Sequence, residues 1–273
     1  MTRITDISGK TRLYGIIADP IAQVKTPQVI NGLFEQAGQD RVMVPMQVSA
    51  ADLPQAVQGL RALASLDGFI VTVPHKTAML ALCDEVSAHA RQVGAVNVVR
   101  RSPSGELFGD ILDGVGFVAG LREAGFDPVG KGVYLAGAGG AANAIAFALA
   151  QAGIARLTVA NRTLAKAQEL LTRLQPAFPT LGLAVGSEDP SGHDLVVNAT
   201  SLGMRETDPL PCDVTRLGAE QLVAEIIMQP ARTPLLVEAA ARGCKTQEGL
   251  PMLLYQARLM AAAMGAPLTE DGE

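Results

Sequence analysis

Tryptophan is absent from the 273 residues, and the remaining aromatics, seven Phe and three Tyr, make up only 4% of the chain. A chain so poor in flat side chains has few platforms on which single-stranded nucleic acid could stack. A block of positive charge is missing too. Lys and Arg number 22 against 27 Asp and Glu, and the net charge is −5. That balance lacks the electrostatic footprint of a protein that binds nucleic acid or anionic lipid. The cysteines (Cys83, Cys212, Cys244) are three in number, far apart, and form no CxxC. Neither a disulfide framework nor a cysteine zinc site fits them. His75, His89 and His193 are equally scattered and no HExxH occurs, so no metal is expected. Residues 1–10 are polar and carry no apolar stretch of the signal-peptide kind.

One uncharged run remains, residues 132–155. It contains Gly137, Gly139, Gly140, Asn143 and Gln151, with the glycines crowded at one end. Spanning helices are more uniformly apolar, so the run reads as a buried strand, a turn and a helix. A cytoplasmic protein with no membrane partner is expected.

What is present is a large core. Hydrophobic residues make up 48% and charged residues 18%, the latter below the usual ~25%. The length suggests about two domains. Short apolar runs alternate with amphipathic stretches. Residues 12–18, 41–48 and 68–73 read as strands; 27–37 and 77–93 read as helices. Ser49-Ala50-Ala51-Asp52 has the form of a capping box. It precedes a helix whose Leu53, Val57, Leu60 and Ala64 share a face. This order predicts a mostly parallel sheet. The turn residues 101–105 join a hairpin of 95–100 and 106–109, and a helix over 113–124 follows. A second alternating block has strands at 133–136, 156–160, 181–186, 195–199 and 222–227, with helices at 140–152 and 163–174. A helix over 249–264 closes the chain, apolar enough to dock on a domain.

Within the second block, Gly137-Ala138-Gly139-Gly140-Ala141-Ala142 follows a strand and opens a helix. It fits GxGxxA. The first glycine allows the tight turn, the second lets backbone approach a pyrophosphate, and the small last residue lets helix and strand pack closely. The helix N-terminus then offers free N–H groups to the anion. The next strand ends in Asn161-Arg162-Thr163, with Lys166 one turn on and no acid to take a ribose 2′-hydroxyl. A guanidinium and an ammonium suit a 2′-phosphate, so NADP is expected over NAD. The alternative is a solvated basic pair at a helix start.

Taken together, the motifs resemble the shikimate dehydrogenase family from about Leu13 to Met264. The residues that carry the resemblance begin with Asp19-Pro20-Ile21-Ala22, Lys25-Thr26-Pro27 and Val71-Thr72-Val73-Pro74-His75-Lys76. Gly94-Ala95-Val96-Asn97, Gly109-Asp110 with Asp113-Gly114, and the glycine turn follow. Asn161-Arg162-Thr163, Asn198-Ala199-Thr200-Ser201 and Thr233-Pro234-Leu235-Leu236 come next. Gly249 with Met252-Leu253 and Gln256-Ala257 completes the set. The resemblance implies an N-terminal α/β substrate domain over 1–112, completed by 248–273. It also implies a Rossmann NADP-binding domain over 113–247, a cleft between the two, and a last helix that returns to the first domain. The implied reaction is reversible hydride transfer between 3-dehydroshikimate and shikimate or a related cyclic polyol. The implied partner is therefore a small cyclic hydroxyacid or polyol, with the chain a monomer or homodimer.

By the same resemblance Lys76 and Asp113 form the catalytic pair. Lys76 takes or gives the hydroxyl proton, or steadies the alkoxide as a cation. Asp113 orients it; the plainer role for Asp113 is a helix N-cap. Thr26, Thr72, Asn97 and Gln256 are implied substrate ligands. The cofactor set is Gly137, Ala138, Gly139, Gly140, Ala141, Asn161, Arg162, Thr163, Lys166, Asn198 and Thr200, with Ile226 and Gly249 near the nicotinamide. His75 is left out as a base, since a neighbour in sequence need not face the same way.

The departures lie at one end of the substrate. The family's Ser-Lys-Ser reads Val24-Lys25-Thr26, and a family tyrosine falls on Met228. Those positions grip a carboxylate in the family. Ile70 stands for an Asn, Ile111-Leu112 for Asn-Thr, and Glu225 for an Asp. Two readings follow: drift within a shikimate dehydrogenase whose carboxylate is held by other donors, or a shifted preference, as of a quinate or other cyclic-polyol dehydrogenase with weak shikimate activity. A non-catalytic NADPH-binding regulator is the competing class, and a folate-cycle dehydrogenase a third; a regulator would need neither Lys76 nor Asp113.

Overall fold

The computed structural model describes residues 7–268; residues 1–6, within the polar opening stretch, lie outside the described residues. The chain divides into two compact units, one running to Leu112 and resuming at Gln256, the other covering Asp113–Tyr255.

The first unit begins with β1 (Arg12–Ala18), α1 (Thr26–Gln36), β2 (Arg41–Gln47), α2 (Leu53–Ala62) and β3 (Leu66–Val71). Both helices carry proline in their first turn, where the missing N–H removes no hydrogen bond. Ser49 Oγ does accept the Asp52 N–H at 3.2 Å, as a capping box requires, but the helix itself starts at Leu53. α3 (Lys76–Met79), β4 (Glu85–Val86), α4 (Ala88–Val93), β5 (Val98–Arg101) and β6 (Leu107–Asp110) follow.

The single helix expected over 77–93 is thus wrong. After a 3₁₀ turn at Leu80–Leu82 the chain extends, and Asp84 N–H reaches the Leu107 carbonyl at 3.0 Å. Its carboxylate accepts the Leu107 N–H at 2.7 Å and pairs with Arg61. Ser87 then caps α4 through the Ala90 N–H at 2.9 Å. Strand pairing and a new cap outweigh the helical periodicity.

The six strands run β2-β1-β3-β5-β6-β4. β1 pairs in parallel with both β2 and β3, and β5 is antiparallel to β3 and β6. Chain order therefore reverses at β1/β3, a switch point at whose carboxyl edge open α/β sheets place ligands. Tyr14, Ile16, Ile30, Phe34, Met43, Ile70 and Val98 form the core, together with Ala257, Met260 and Ala261 of the last helix and Met264 just beyond it.

The second unit comprises α5 (Asp113–Glu123), β7 (Gly132–Ala136), α6 (Gly140–Gln151), β8 (Arg156–Ala160), α7 (Leu164–Ala177), β9 (Gly182–Val185) and β10 (Leu195–Asn198). β11 (Leu222–Glu225), α8 (Pro234–Ala241), β12 (Lys245–Gln247) and the start of α9 (Leu250–Ala263) complete it. The sheet order β12-β11-β10-β7-β8-β9 is parallel throughout. Read from β9, that is the 3-2-1-4-5-6 order of a dinucleotide-binding fold, with its switch point between β7 and β10. α8 and β12 have no counterpart among the elements read from sequence. Residues 248–255, expected in the first domain, fall in this unit.

α5 and α6 pack backbone to side chain. A Cβ on Gly114 would lie 2.1 Å from the Ala144 carbonyl oxygen and 2.6 Å from Ala148 Cβ. Gly114→Ala is therefore expected to destabilise the protein by about 1–3 kcal/mol or more, as overpacking does. Thermal melting checks this; an unchanged Tm would mean that the two helices separate freely.

Candidate active site

In the first unit, the loops after β1 and β3 carry the polar residues. Thr26 is the buried first residue of α1. Thr72, half-buried, donates its N–H to the Ile17 carbonyl at 3.0 Å, which fixes the turn after β3 against β1. Lys76 is half-buried and opens α3. Its carbonyl accepts the Val96 N–H at 2.9 Å. His75, the residue before it, is 1% exposed, and its Nε2 lies 2.8 Å from the Val48 carbonyl oxygen. That contact makes Nε2 the donor and directs the ring into the fold, which accounts for leaving His75 out as a base.

Asn97 ties three strands together at the same edge. Its carbonyl accepts the Val71 N–H at 2.8 Å, its own N–H donates to Asp110 O at 2.9 Å, and its Oδ1 accepts the Leu112 N–H at 2.9 Å. Only a short polar side chain at that position reaches the Leu112 N–H, the last amide before Asp113. Gln256 on α9 is buried, and its Oε1 has no hydrogen-bond partner among the described residues. A buried amide oxygen without a partner is costly.

The departures are structural as well as chemical. Val24 is half-buried and packs on the Tyr14–Ile30–Phe34 core. Ile70 and Ile111 are buried. Leu112 packs on the same core as Val24. Val24, Ile70 and Leu112 thus belong to the first unit's apolar core.

In the second unit, Gly137 adopts φ +115°, and a Cβ there would lie 2.8 Å from the Ala199 carbonyl oxygen. Gly139 is the reverse: nothing stands within 4 Å of its would-be Cβ. The turn is closed against protein at the first glycine and open at the second, as close approach of a pyrophosphate demands. Ala138 is buried, Gly140 and Ala141 begin α6, and Ala142 is fully buried. Asn143 Oδ1, in the first turn of α6, lacks a hydrogen-bond partner among the described residues. Arg162, Thr163 and Lys166 are exposed beyond β8, and Asn161 Nδ2 holds the turn by donating to Thr163 O at 2.8 Å. These residues fit a dinucleotide with a further phosphate on its ribose.

Next to the glycine turn, Asn198 ends β10 in register with Ala136. Its Oδ1 accepts from Thr200 N at 3.1 Å and Thr200 Oγ1 at 2.7 Å. Ile226 and Met228 are half-buried in the loop after β11. Gly249 lies against that loop: a Cβ on it would stand 2.5 Å from Ile227 O and 2.7 Å from Ile226 O. Asp113 is 3% exposed at the start of α5.

Comparison with known proteins decides the kinship. A family model described as the shikimate dehydrogenase substrate binding domain matches residues 16–99. One described as shikimate/quinate 5-dehydrogenase matches residues 122–202. A shikimate dehydrogenase (NADP(+)) of Rubrobacter xylanophilus is 43% identical over 257 residues, 92% of this chain and 89% of its own length. This chain belongs to the shikimate dehydrogenase family. It is accordingly an oxidoreductase, built as a mixed α/β chain with a Rossmann-type unit. Solved relatives share the fold nearly end to end. The Thermus thermophilus shikimate 5-dehydrogenase in complex with NADP(H) and shikimate is 32% identical, with TM-score 0.86 and 95% of both chains covered. The ligand-free 5-ketofructose reductase of Gluconobacter sp. strain CHM43 is 35% identical, with TM-score 0.83 and 96% of both chains covered.

No local spacing in the sequence marks Glu225 or the Thr233 side chain as functional. Glu225 is fully buried and bonded to Asn198 and Thr233. An acid closing an otherwise apolar strand, Leu222–Glu225, was the available signal.

Proposed function

We propose that this family member is an NADP-linked dehydrogenase that moves a hydride between the cofactor and a ring carbon of a cyclic polyol, with shikimate and 3-dehydroshikimate as the type pair. One observation carries the proposal. In each unit the chemistry-bearing residues stand at the carboxyl edge of the parallel strands where chain order reverses: Thr26, Thr72, Lys76 and Asn97 in one, the Gly137–Ala141 turn with Asn198 in the other. Small molecules, and no macromolecule, are the partners this chemistry needs. Free thiols and the absence of any paired cysteine among the described residues support a reducing, cytoplasmic setting.

Bound NADP supplies the hydride acceptor, and the remaining steps fall to the protein. As the hydride leaves the carbinol carbon, the hydroxyl must lose its proton. Lys76 Nζ, as the neutral amine, receives it. In the reductive direction the ammonium returns it to the carbonyl oxygen. Asp113 is the carboxylate assigned to orient that amine, by accepting one of its N–H groups. Thr72, Asn97 and Gln256 hold neighbouring hydroxyls, and Thr26 holds the far end of the ring. Arg162 and Lys166, with Asn161 and Thr163, take the 2′-phosphate, and the N–H groups opening α6 take the pyrophosphate.

A second substrate reading has its own support. Val24 and Met228 remove two donors from the end where the family holds a carboxylate, and one relative at 35% identity is named as the reductase of a neutral ketose. A substrate with a weaker acid, or none, fits that apolar end.

The cofactor half is tested by Arg162→Ala. Loss of a charged hydrogen bond of about 1.5–3 kcal/mol raises the NADP KM tenfold or more. The KM for NAD stays unchanged. Equal effects on both nucleotides would remove the 2′-phosphate assignment.

A further inference from the structure

Glu225 is the most deeply buried carboxylate described outside the proposed chemistry, with no exposed surface. It is not orphaned. Oε1 accepts the N–H groups of Ile226 at 2.8 Å and Ile227 at 3.1 Å. Oε2 accepts Asn198 Nδ2 at 2.9 Å and the Thr233 hydroxyl at 3.0 Å. Four donors thus meet the roughly four lone-pair sites of a carboxylate. Burial pushes its pKa up, while these donors favour the anion.

The partners reach outward in two directions. Asn198 Nδ2 also donates to Leu202 O at 2.9 Å, its Oδ1 holds Thr200, and Thr200 Oγ1 accepts the Leu202 N–H at 3.0 Å. That shapes the loop after β10. On the other side Ile226 and Ile227 begin the loop that leads to Met228, and Thr233 caps α8 at its end. The two loops also touch: a Cβ on Gly203 would sit 3.3 Å from Thr233 Cβ and 3.5 Å from Ile227 Cδ1.

We infer that Glu225 is a positioning residue: its one carboxylate fixes both the β10 loop, which carries Thr200, and the β11 loop, which carries Ile226 and Met228, so that the cofactor edge is set as a single rigid piece. The inference rests on the dinucleotide assignment above for its binding readout, but not for its structural one. The amide of glutamine would turn an N–H toward donors at one oxygen or the other. Relief on the Asn198 side requires that side chain to flip, which strips Thr200 of its acceptor. The perturbation therefore crosses from one loop to the other.

The experiment compares wild type, Glu225→Gln and the double variant Asn198→Asp/Glu225→Gln by amide hydrogen exchange and by NADPH fluorescence titration. Glu225→Gln is expected to speed exchange at Ile226 and Ile227 and also at Thr200 and Leu202. NADPH affinity should fall about tenfold or more, the scale on which small misplacements act. The double variant restores an acceptor at position 198 for Thr200 and for the new amide, while giving up the donor to Leu202 O, and should recover about threefold of that affinity. A merely structural role lowers Tm but leaves the affinity of the folded protein unmoved, and that result overturns the inference. So does faster exchange confined to Ile226 and Ile227. If Glu225→Gln does not fold, Thr233→Val removes one donor to the same oxygen; exchange at Thr200 and Leu202 must still rise, and its constancy rejects the coupling. Wild-type protein that binds no NADPH would sink the cofactor assignment instead, while the exchange pattern still decides the role of Glu225.

Discussion

Lys76→Ala is expected to lower kcat by about 10²–10⁴-fold, the range for loss of a positioned general acid–base, with NADPH affinity unchanged. The lysine belongs to the first unit, at the head of α3, whereas the glycine turn and Arg162 belong to the second. Its removal therefore takes proton transfer away without touching the residues assigned to the nucleotide. The turn that presents it is independently held by the Val96 N–H and by the His75–Val48 contact, so the fold survives the change. Single-turnover kinetics beside fluorescence titration separates the two effects. A variant that loses NADPH binding in step with rate would place Lys76 in the cofactor site. One that keeps its full rate would remove it from the chemistry.

The second large effect is on substrate choice. Val24→Ser with Met228→Tyr restores the two hydroxyl donors that the family resemblance implies at these positions. Each charged hydrogen bond contributes about 1.5–3 kcal/mol, so together they should lower the KM for shikimate on the order of a hundredfold. The KM for NADP should not change. Thr26, proposed to offer one hydroxyl there, is buried at the start of α1, and the new serine stands two residues before it. Val24 packs on the core, so its replacement also costs stability through lost apolar burial, and a lower Tm accompanies the gain. If KM for shikimate does not move, other donors already hold the carboxylate and the apolar end is drift within an ordinary shikimate dehydrogenase.

The alternating strands and helices were legible because period-2 and period-3.6 patterns stay distinct where one face is buried. β1 and β7 were readable instead as short continuous apolar runs, buried on both faces, β8 by its partial alternation, and the glycine turn because φ +115° at Gly137 leaves few residues able to stand there. The break at Cys83–Asp84 was not legible. It depends on Arg61 and Leu107, which are remote in sequence and meet Asp84 only once the fold has formed. β12 is a three-residue polar edge strand, Lys245–Gln247, too short to show alternation. Glu225 was visible as a letter but not as a hub, because Asn198 and Thr233 come to it through sheet register and loop return rather than through any local spacing. Candidate residues were read from motifs, and their placement at two sheet edges came from topology, which no single motif encodes.

The most direct test is the initial rate of purified protein with NADP and with NAD, each offered shikimate, quinate and a neutral polyol, together with the reverse reaction on a neutral ketose. Turnover of at least one of these with NADP, much slower with NAD and lost in Lys76→Ala, is the predicted result. Tight NADPH binding with no turnover of any of them would contradict it, and would make the chain a nucleotide-binding regulator that has kept the lysine and aspartate without using them.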